Sequence, residues 1–171
     1  MNTHSDAENR AKTDLAVANR ILVNHGVLDA FGHVSVRQPG DPDHFYLSRN
    51  LAPGMVTPAD IQRYDLDGET EDRESSYLER FIHAEIYRSR PDVTSVVHSH
   101  SAGLLPFGLA GVPLRPVWHM AGFLGERTPV FEIRDAAGAG SDLLIGDAGL
   151  GRSLAAVLGE GPMALMRGHG S

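Results

Sequence analysis

The stretch Val93-Thr94-Ser95-Val96-Val97-His98-Ser99-His100 decides how the rest of this chain is read. Residues 93–98 are short, apolar and β-branched, the pattern of a strand in a sheet interior. A helical pattern over 77–89 precedes it, stopped before Pro91, and another short helix is expected near 101–109. In a strand, residues i and i+2 project from the same side, so His98 and His100 can converge on one cation while Ser99 points away. Two histidines hydrogen-bonded elsewhere, or exposed, would give the same pattern. A strand end that leads into a helix is where open α/β sheets place their ligand sites.

Outward from this point, helix and strand patterns alternate. Residues 7–25 read as an amphipathic helix with Ala11, Leu15, Ala18, Ile21 and Leu22 on one stripe, stopped by Gly26. Strand-like stretches over 31–38 and 45–49 flank the turn-rich Pro39-Gly40-Asp41-Pro42-Asp43, and a third strand over 61–66 ends at Asp67-Gly68. Residues 69–74 are a charged, solvated loop. Beyond the histidine pair come a Pro-rich connector (111–116), a helix (118–124), a strand (130–134), a helix (147–158) and a last strand (163–167). The expectation is an α/β domain whose helices cover a sheet. The early strands are close enough to pair antiparallel, so a mixed sheet is expected. The 171 residues, 42% of them hydrophobic, suit a single domain over 1–171, with no internal repeat.

A formal net charge of −7 argues against nucleic acid as a partner and against an anionic membrane surface. No apolar run approaches the roughly 20 residues needed to span a bilayer. The start, MNTHSDAENRAKTD, lacks the apolar core of a secretory signal, and a soluble cytoplasmic protein is the expectation. With no cysteine, any metal site must be built from His, Asp and Glu, and nine histidines are at hand.

The second signal is Arg167-Gly168-His169-Gly170, after the apolar Met163-Ala164-Leu165-Met166. Flanking glycines let the backbone turn sharply and push an imidazole from a strand end, although an ordinary Gly-rich turn reads the same way. Together, His98, His100 and His169 would leave a divalent ion with open positions for water or substrate. Glu79 is the candidate fourth group, but Ser76-x-x-Glu79 is also a capping-box pattern at the start of the 77–89 helix. His83, one turn later, could orient Glu79 or pack under the helix.

These motifs, in this order and spacing, resemble the class II aldolase/adducin family over nearly the whole chain. The resemblance rests on Phe31-Gly32-His33-Val34-Ser35-Val36-Arg37, on residues 79–83, on Arg90-Pro91-Asp92 leading into Val97-His98-Ser99-His100, and on Gly168-His169-Gly170. It implies a three-layer α/β/α fold with a mixed central sheet. It also implies His98, His100 and His169 as ligands of one divalent metal ion (Mn, Zn, Fe or Co), and Glu79 as acid/base or occasional ligand. Homotetramers are the family's usual assembly, and a C-terminal helical segment, expected to be lacking here, usually follows the last motif.

Departures narrow the expectation. Sugar-phosphate members look like Gly-Asn-Val-Ser at the first motif, where this chain has His33. Their Thr/Gly-rich phosphate loop is replaced by Leu47-Ser48-Arg49-Asn50-Leu51-Ala52-Pro53-Gly54. Arg49 offers a planar fork suited to a carboxylate, or is simply a strand-end surface charge. This run, the Glu79 helix and residues 113–120 look most like decarboxylases of hydroxylated aromatic or pyridine dicarboxylates. That implies a metal-dependent C–C lyase acting on a small carboxylate through a metal-stabilised enolate. Glu79 or His119 would move the proton, and His33, Ser48, Arg49 and Arg115 would contact substrate. The alternatives are a sugar-phosphate aldolase or epimerase, an Fe(II) oxygenase, and a non-catalytic adducin-like module.

Overall fold

The computed structural model describes residues 3–171, so Met1 and Asn2 of the expected domain lie outside it. The first helix, α1 (Thr3–Asn24), buries Leu15, Ala16 and Asn19, with Ala11, Leu22 and Val23 packed alongside. Ile21, expected on the apolar stripe, is exposed: the buried stripe runs through positions 15, 16, 19, 22 and 23 instead. Strands β1 (His33–Arg37), β2 (His44–Ser48) and β3 (Ile61–Asp65) form an antiparallel meander. Helix α2 (Arg80–Ser89) then leads to β4 (Ser95–His98), which pairs antiparallel with β1 to give the order β3-β2-β1-β4. The register sets His33 directly opposite His98.

Helix α2 begins three residues later than the 77–89 pattern suggests, and the expected capping box does not form. Glu79 stands at the N-cap position without a side-chain cap bond, and the Ser76 hydroxyl meets the Tyr64 hydroxyl at 2.8 Å. After α3 (Leu105–Leu109), residues 110–118 run irregularly into a 3₁₀ turn, His119–Leu124, where a helix was expected. The remaining elements are β5 (Val130–Phe131), α4 (Arg134–Ala137), α5 (Ala148–Leu158) and β6 (Leu165–Met166). Both late strands are two residues long, because the chain coils into α4 after Ile133 and turns at Gly168, whose φ is +73°. They pair parallel, so both strand directions occur as expected, divided between a four-stranded sheet and a two-stranded one. A reciprocal backbone pair between Ser99 and Ser171, 2.9 Å each way, ties the two together.

Strand alternation builds the layers. Val34, Tyr46 and Ile61 face α1 in one apolar cluster with Leu15, Leu28 and Val56. Phe45, Leu47, Tyr64 and Val96 face the other way, against Ile82 and Ile86 of α2 and Leu154 of α5. Burying each such side chain stabilises the fold by about 1.5–3 kcal/mol. The second face also carries polar groups. His33, Ser35 and His98 point into it from the sheet, and Glu79 and His83 meet them from the helix side.

Candidate metal centre

Four side chains converge where β4 ends. His98 closes the strand, His100 follows two residues later, His169 enters from the turn after β6, and Glu79 from the start of α2. Their ligand atoms all lie within 4.8 Å of one another. The Glu79 Oε2 lies 3.5 Å from His98 Nε2 and 3.3 Å from His169 Nε2, and the Nε2 atoms of His98 and His100 are 3.0 Å apart. Glu79 and His98 are buried, while His100 and His169 are half-buried, so the centre opens on one side.

The outer nitrogens fix the tautomers. His98 Nδ1 meets the main-chain oxygen of Ser171 at 3.1 Å, His169 Nδ1 the Leu143 carbonyl at 2.8 Å, and His100 Nδ1 both carboxylate oxygens of Asp29 at 3.2 Å. Each partner can only accept, so this network puts the hydrogen of each neutral ring on Nδ1 and turns the Nε2 lone pairs inward. Lone pairs 3.0 Å apart repel unless a cation or proton lies between them. Inward lone pairs with outer acceptors and a carboxylate are a donor set that fits a divalent ion.

Local backbone explains why the residues sit here. Gly168 takes the left-handed conformation, and a Cβ on Gly170 would lie 2.2 Å from the Ser99 carbonyl, so only Gly-His-Gly delivers His169 while keeping the Ser99–Ser171 pair. The 141–146 loop serves the centre twice. The Leu143 carbonyl holds His169, and the Ile145 N–H donates to Glu79 Oε1 at 2.9 Å. Leu143 has φ +71°, a conformation that costs a non-glycine residue about 1–2 kcal/mol.

Charge follows from these contacts. Burial works to raise the Glu79 carboxyl, but the neighbouring His169 and His98 rings, whose protonated forms would donate to Oε2, outweigh it and favour the ionised group, far below the usual carboxylate range. Burial pushes His98 below the ordinary imidazole value. At His169 burial acts downward too, yet the bond to Glu79 prevails and its affinity for a proton rises. A proton and a metal ion would thus compete for the His169 Nε2 lone pair.

The other expected site residues divide. His33 is buried with its ring centroid 5.0 Å from that of His98 and 4.5 Å from that of Tyr77. Ser48 is buried and 3.4 Å from the Tyr77 hydroxyl. Arg49 commits its Nε to Asp60 at 2.8 Å. Arg115 and His119 lie on the exposed 111–124 segment, and among the described residues neither contacts the four-residue centre. Among the described residues His83 makes no hydrogen bond to Glu79; it hydrogen-bonds His33 at 2.6 Å and Ser35 at 2.7 Å.

Sequence reasoning missed Asp29, Leu143 and Ile145. Asp29 had one local signal, an Asx-type turn whose carboxylate accepts the N–H groups of Phe31 and Gly32 at 2.9 and 2.8 Å. The two loop residues act through main-chain atoms and leave no mark on side-chain pattern.

Residues 13–171 match the Class II Aldolase and Adducin N-terminal domain. The chain belongs to this family. It is 43% identical over 164 residues to the decarboxylase tropJ of Talaromyces stipitatus, a match covering 88% of this chain and 62% of that protein. The 3,4-dihydroxyphthalate decarboxylase of Arthrobacter keyseri is 29% identical over 177 residues, covering 94% of this chain and 67% of the relative. An L-fuculose 1-phosphate aldolase from Glaciozyma antarctica superposes with a TM-score of 0.75 at 26% identity, covering 99% of this chain and 65% of that one. This class II aldolase-type chain therefore spans about two thirds of the length of these three proteins, and its fold is the α/β arrangement of that family.

Proposed function

We propose that this chain carries a metal-dependent C–C lyase site that decarboxylates a hydroxylated aromatic or pyridine (di)carboxylate. The observation that carries the reading is the convergence of three inward Nε2 lone pairs and an ionised Glu79 on one half-open point. The decarboxylase names of the two relatives favour CO2 release over aldol cleavage. His98, His100 and His169, with Glu79 as a fourth group, would hold one divalent ion (Mn, Zn, Fe or Co). When bound, such an ion supplies a Lewis acid for an oxygen beside the reacting carbon.

The chain's own residues then account for the proton. Glu79 is held as a carboxylate and suits the base role first. It takes the proton of the substrate's ring hydroxyl onto Oε2 and returns it to the ring carbon that carries the carboxylate. That carbon becomes tetrahedral, its bond to the carboxylate breaks, CO2 leaves, and the electron pair restores the aromatic ring. The hydrogen now on the ring carbon is the one taken from the hydroxyl, so CO2 leaves behind a phenolate, which takes one proton from water; the step balances without an oxidant. His33, packed against His98, would meet the substrate directly, and Ser48 would act behind it through Tyr77. Arg49, whose Nε is held by Asp60, would offer its outer nitrogens to a second carboxylate.

Arg115 and His119 could reach a site only from a neighbouring copy. Their segment exposes Val117, Trp118, Met120 and Phe123, an apolar run of the kind that marks subunit contacts, and a homotetramer accompanies this reading. Among the described residues no helix is long and apolar enough to cross a membrane. A cytoplasmic enzyme with no nucleic-acid partner is the setting we propose.

The test is metal content by mass spectrometry for wild type and His169→Ala, followed by CO2 release from 3,4-dihydroxyphthalate. About one ion per wild-type chain, lost in the variant, with CO2 matching substrate consumed, is the expected result. A wild-type protein that binds none of Mn, Zn, Fe or Co would overturn the reading.

A further inference from the structure

Four buried polar groups on the α2 face form one hydrogen-bonded row. Tyr87 Oη meets Ser35 Oγ at 2.8 Å, Ser35 Oγ meets His83 Nδ1 at 2.7 Å, and His83 Nε2 meets His33 Nδ1 at 2.6 Å. Each of the four residues is almost wholly buried. Such a row has two possible polarities, because every member can both donate and accept.

The tyrosine end selects one. If the hydrogens ran from His33 toward Tyr87, the phenol hydrogen would need an acceptor beyond Ser35, and among the described residues there is none. A buried donor left unpaired costs about 1–3 kcal/mol. With the opposite polarity every hydrogen between two members is used, and the one donor left over lies at the His33 end, beside the metal centre, where a ligand oxygen would accept it. Tyr87 O–H donates to Ser35, Ser35 O–H to His83 Nδ1, and His83 Nε2–H to His33 Nδ1.

His33 must then carry its own hydrogen on Nε2. That nitrogen has no hydrogen-bond partner among the described residues, and it belongs to a buried ring packed against His98 at the edge of the metal centre. The ring lies against His98 on one side and Tyr77 on another, and β1 holds it directly opposite His98.

We infer that the row Tyr87–Ser35–His83 fixes His33 as a neutral imidazole protonated on Nε2, presenting a single N–H to a carboxylate or phenolate oxygen of the substrate beside the metal centre. The inference rests on the decarboxylase reading for the identity of the acceptor, but not for the tautomer. His83, Ser35 and Tyr87 are positioning residues, and His33 is the group that touches the ligand. The device selects for an acceptor oxygen at this point and against a hydroxyl that must itself donate.

The experiment is ¹⁵N NMR of histidine-labelled protein, with and without Zn(II), read together with titration by phthalate as an unreactive dicarboxylate probe. In wild type, His33 should show a protonated Nε2 and an unprotonated Nδ1. Ser35→Ala should convert it to a mixture of both tautomers, and Tyr87→Phe carries the same test if Ser35→Ala fails to fold. Phthalate affinity should fall roughly five- to tenfold in His33→Phe and by less in Ser35→Ala, as loss of one hydrogen bond implies. A wild-type His33 protonated on Nδ1, an unchanged tautomer in both Ser35→Ala and Tyr87→Phe, or unaltered phthalate affinity in His33→Phe would each overturn the inference. The nitrogen signature is read on metal-free protein as well. A chain that binds no metal and releases no CO2 would thus break the decarboxylase reading while the tautomer is still decided.

Discussion

The two faces of β1 differ by one residue in sequence and by everything in chemistry. Val34 and Val36 turn toward α1 and join a dry cluster with Leu15, Tyr46 and Val56. His33 and Ser35 turn toward α2 and join a row of hydrogen-bonded side chains that ends beside three candidate metal ligands. The α1 face is mostly apolar, and its buried Asn19 is held by the helix's own Leu15 carbonyl rather than by the sheet. The α2 face holds many because each has a partner, and an unpaired one would be costly. One sheet thus supplies rigidity from one side and a site from the other.

The largest expected effects lie on the polar face. His98→Ala should lose bound metal and all turnover. Glu79→Gln should keep the ion within about tenfold in affinity yet lower kcat by about a thousandfold, since proton transfer contributes on that scale. Metal analysis beside a CO2 assay reads both, and a His98→Ala protein with full metal and activity would end the comparison. On the dry face, Leu15→Ala should cost about 2–5 kcal/mol in urea unfolding while leaving metal affinity unchanged, which tests whether the two faces are separable.

The faces should also answer acid differently. Burial holds His83 down to about 3, whereas an unfolded chain takes up that proton near the ordinary value of 6.5. Unfolding therefore binds a proton in this window, and metal-free stability should fall as pH drops from 6.5 toward 3, by on the order of a few kcal/mol. His83→Gln should flatten that slope, and Leu15→Ala should not. The smallest effect is expected at the rim. Asp29→Asn leaves His100 in place but removes the charge behind its Nδ1, and metal affinity measured by competition with a chelator should weaken by about tenfold.

Much of this was legible in the sequence. The alternation of β1 and β2, the His98/His100 pair and the Gly-His-Gly turn could be read as pattern, because strand period and glycine freedom are local properties. Glu79 was ambiguous: Ser76-x-x-Glu79 obeys the capping rule, and only the approach of Ile145, His98 and His169 draws the carboxylate away from the helix end. His119 and Arg115 resembled site residues, but the proline-punctuated 111–124 segment carries them over the surface. The late strands shrank to two residues each because tertiary turns at Ile133 and Gly168 overrode their apolar runs.

By itself the sequence determined the α/β alternation, the absence of thiolate ligands and the three histidines able to hold a metal, since each follows from residue type and short spacing. Only the tertiary structure decided which nitrogen of each ring faces inward, what holds Glu79 ionised, and that His83 serves His33 rather than Glu79. Those outcomes depend on main-chain oxygens, N–H groups and carboxylates brought from distant segments. Such contacts leave no periodic trace, because they are fixed by where the folded chain passes.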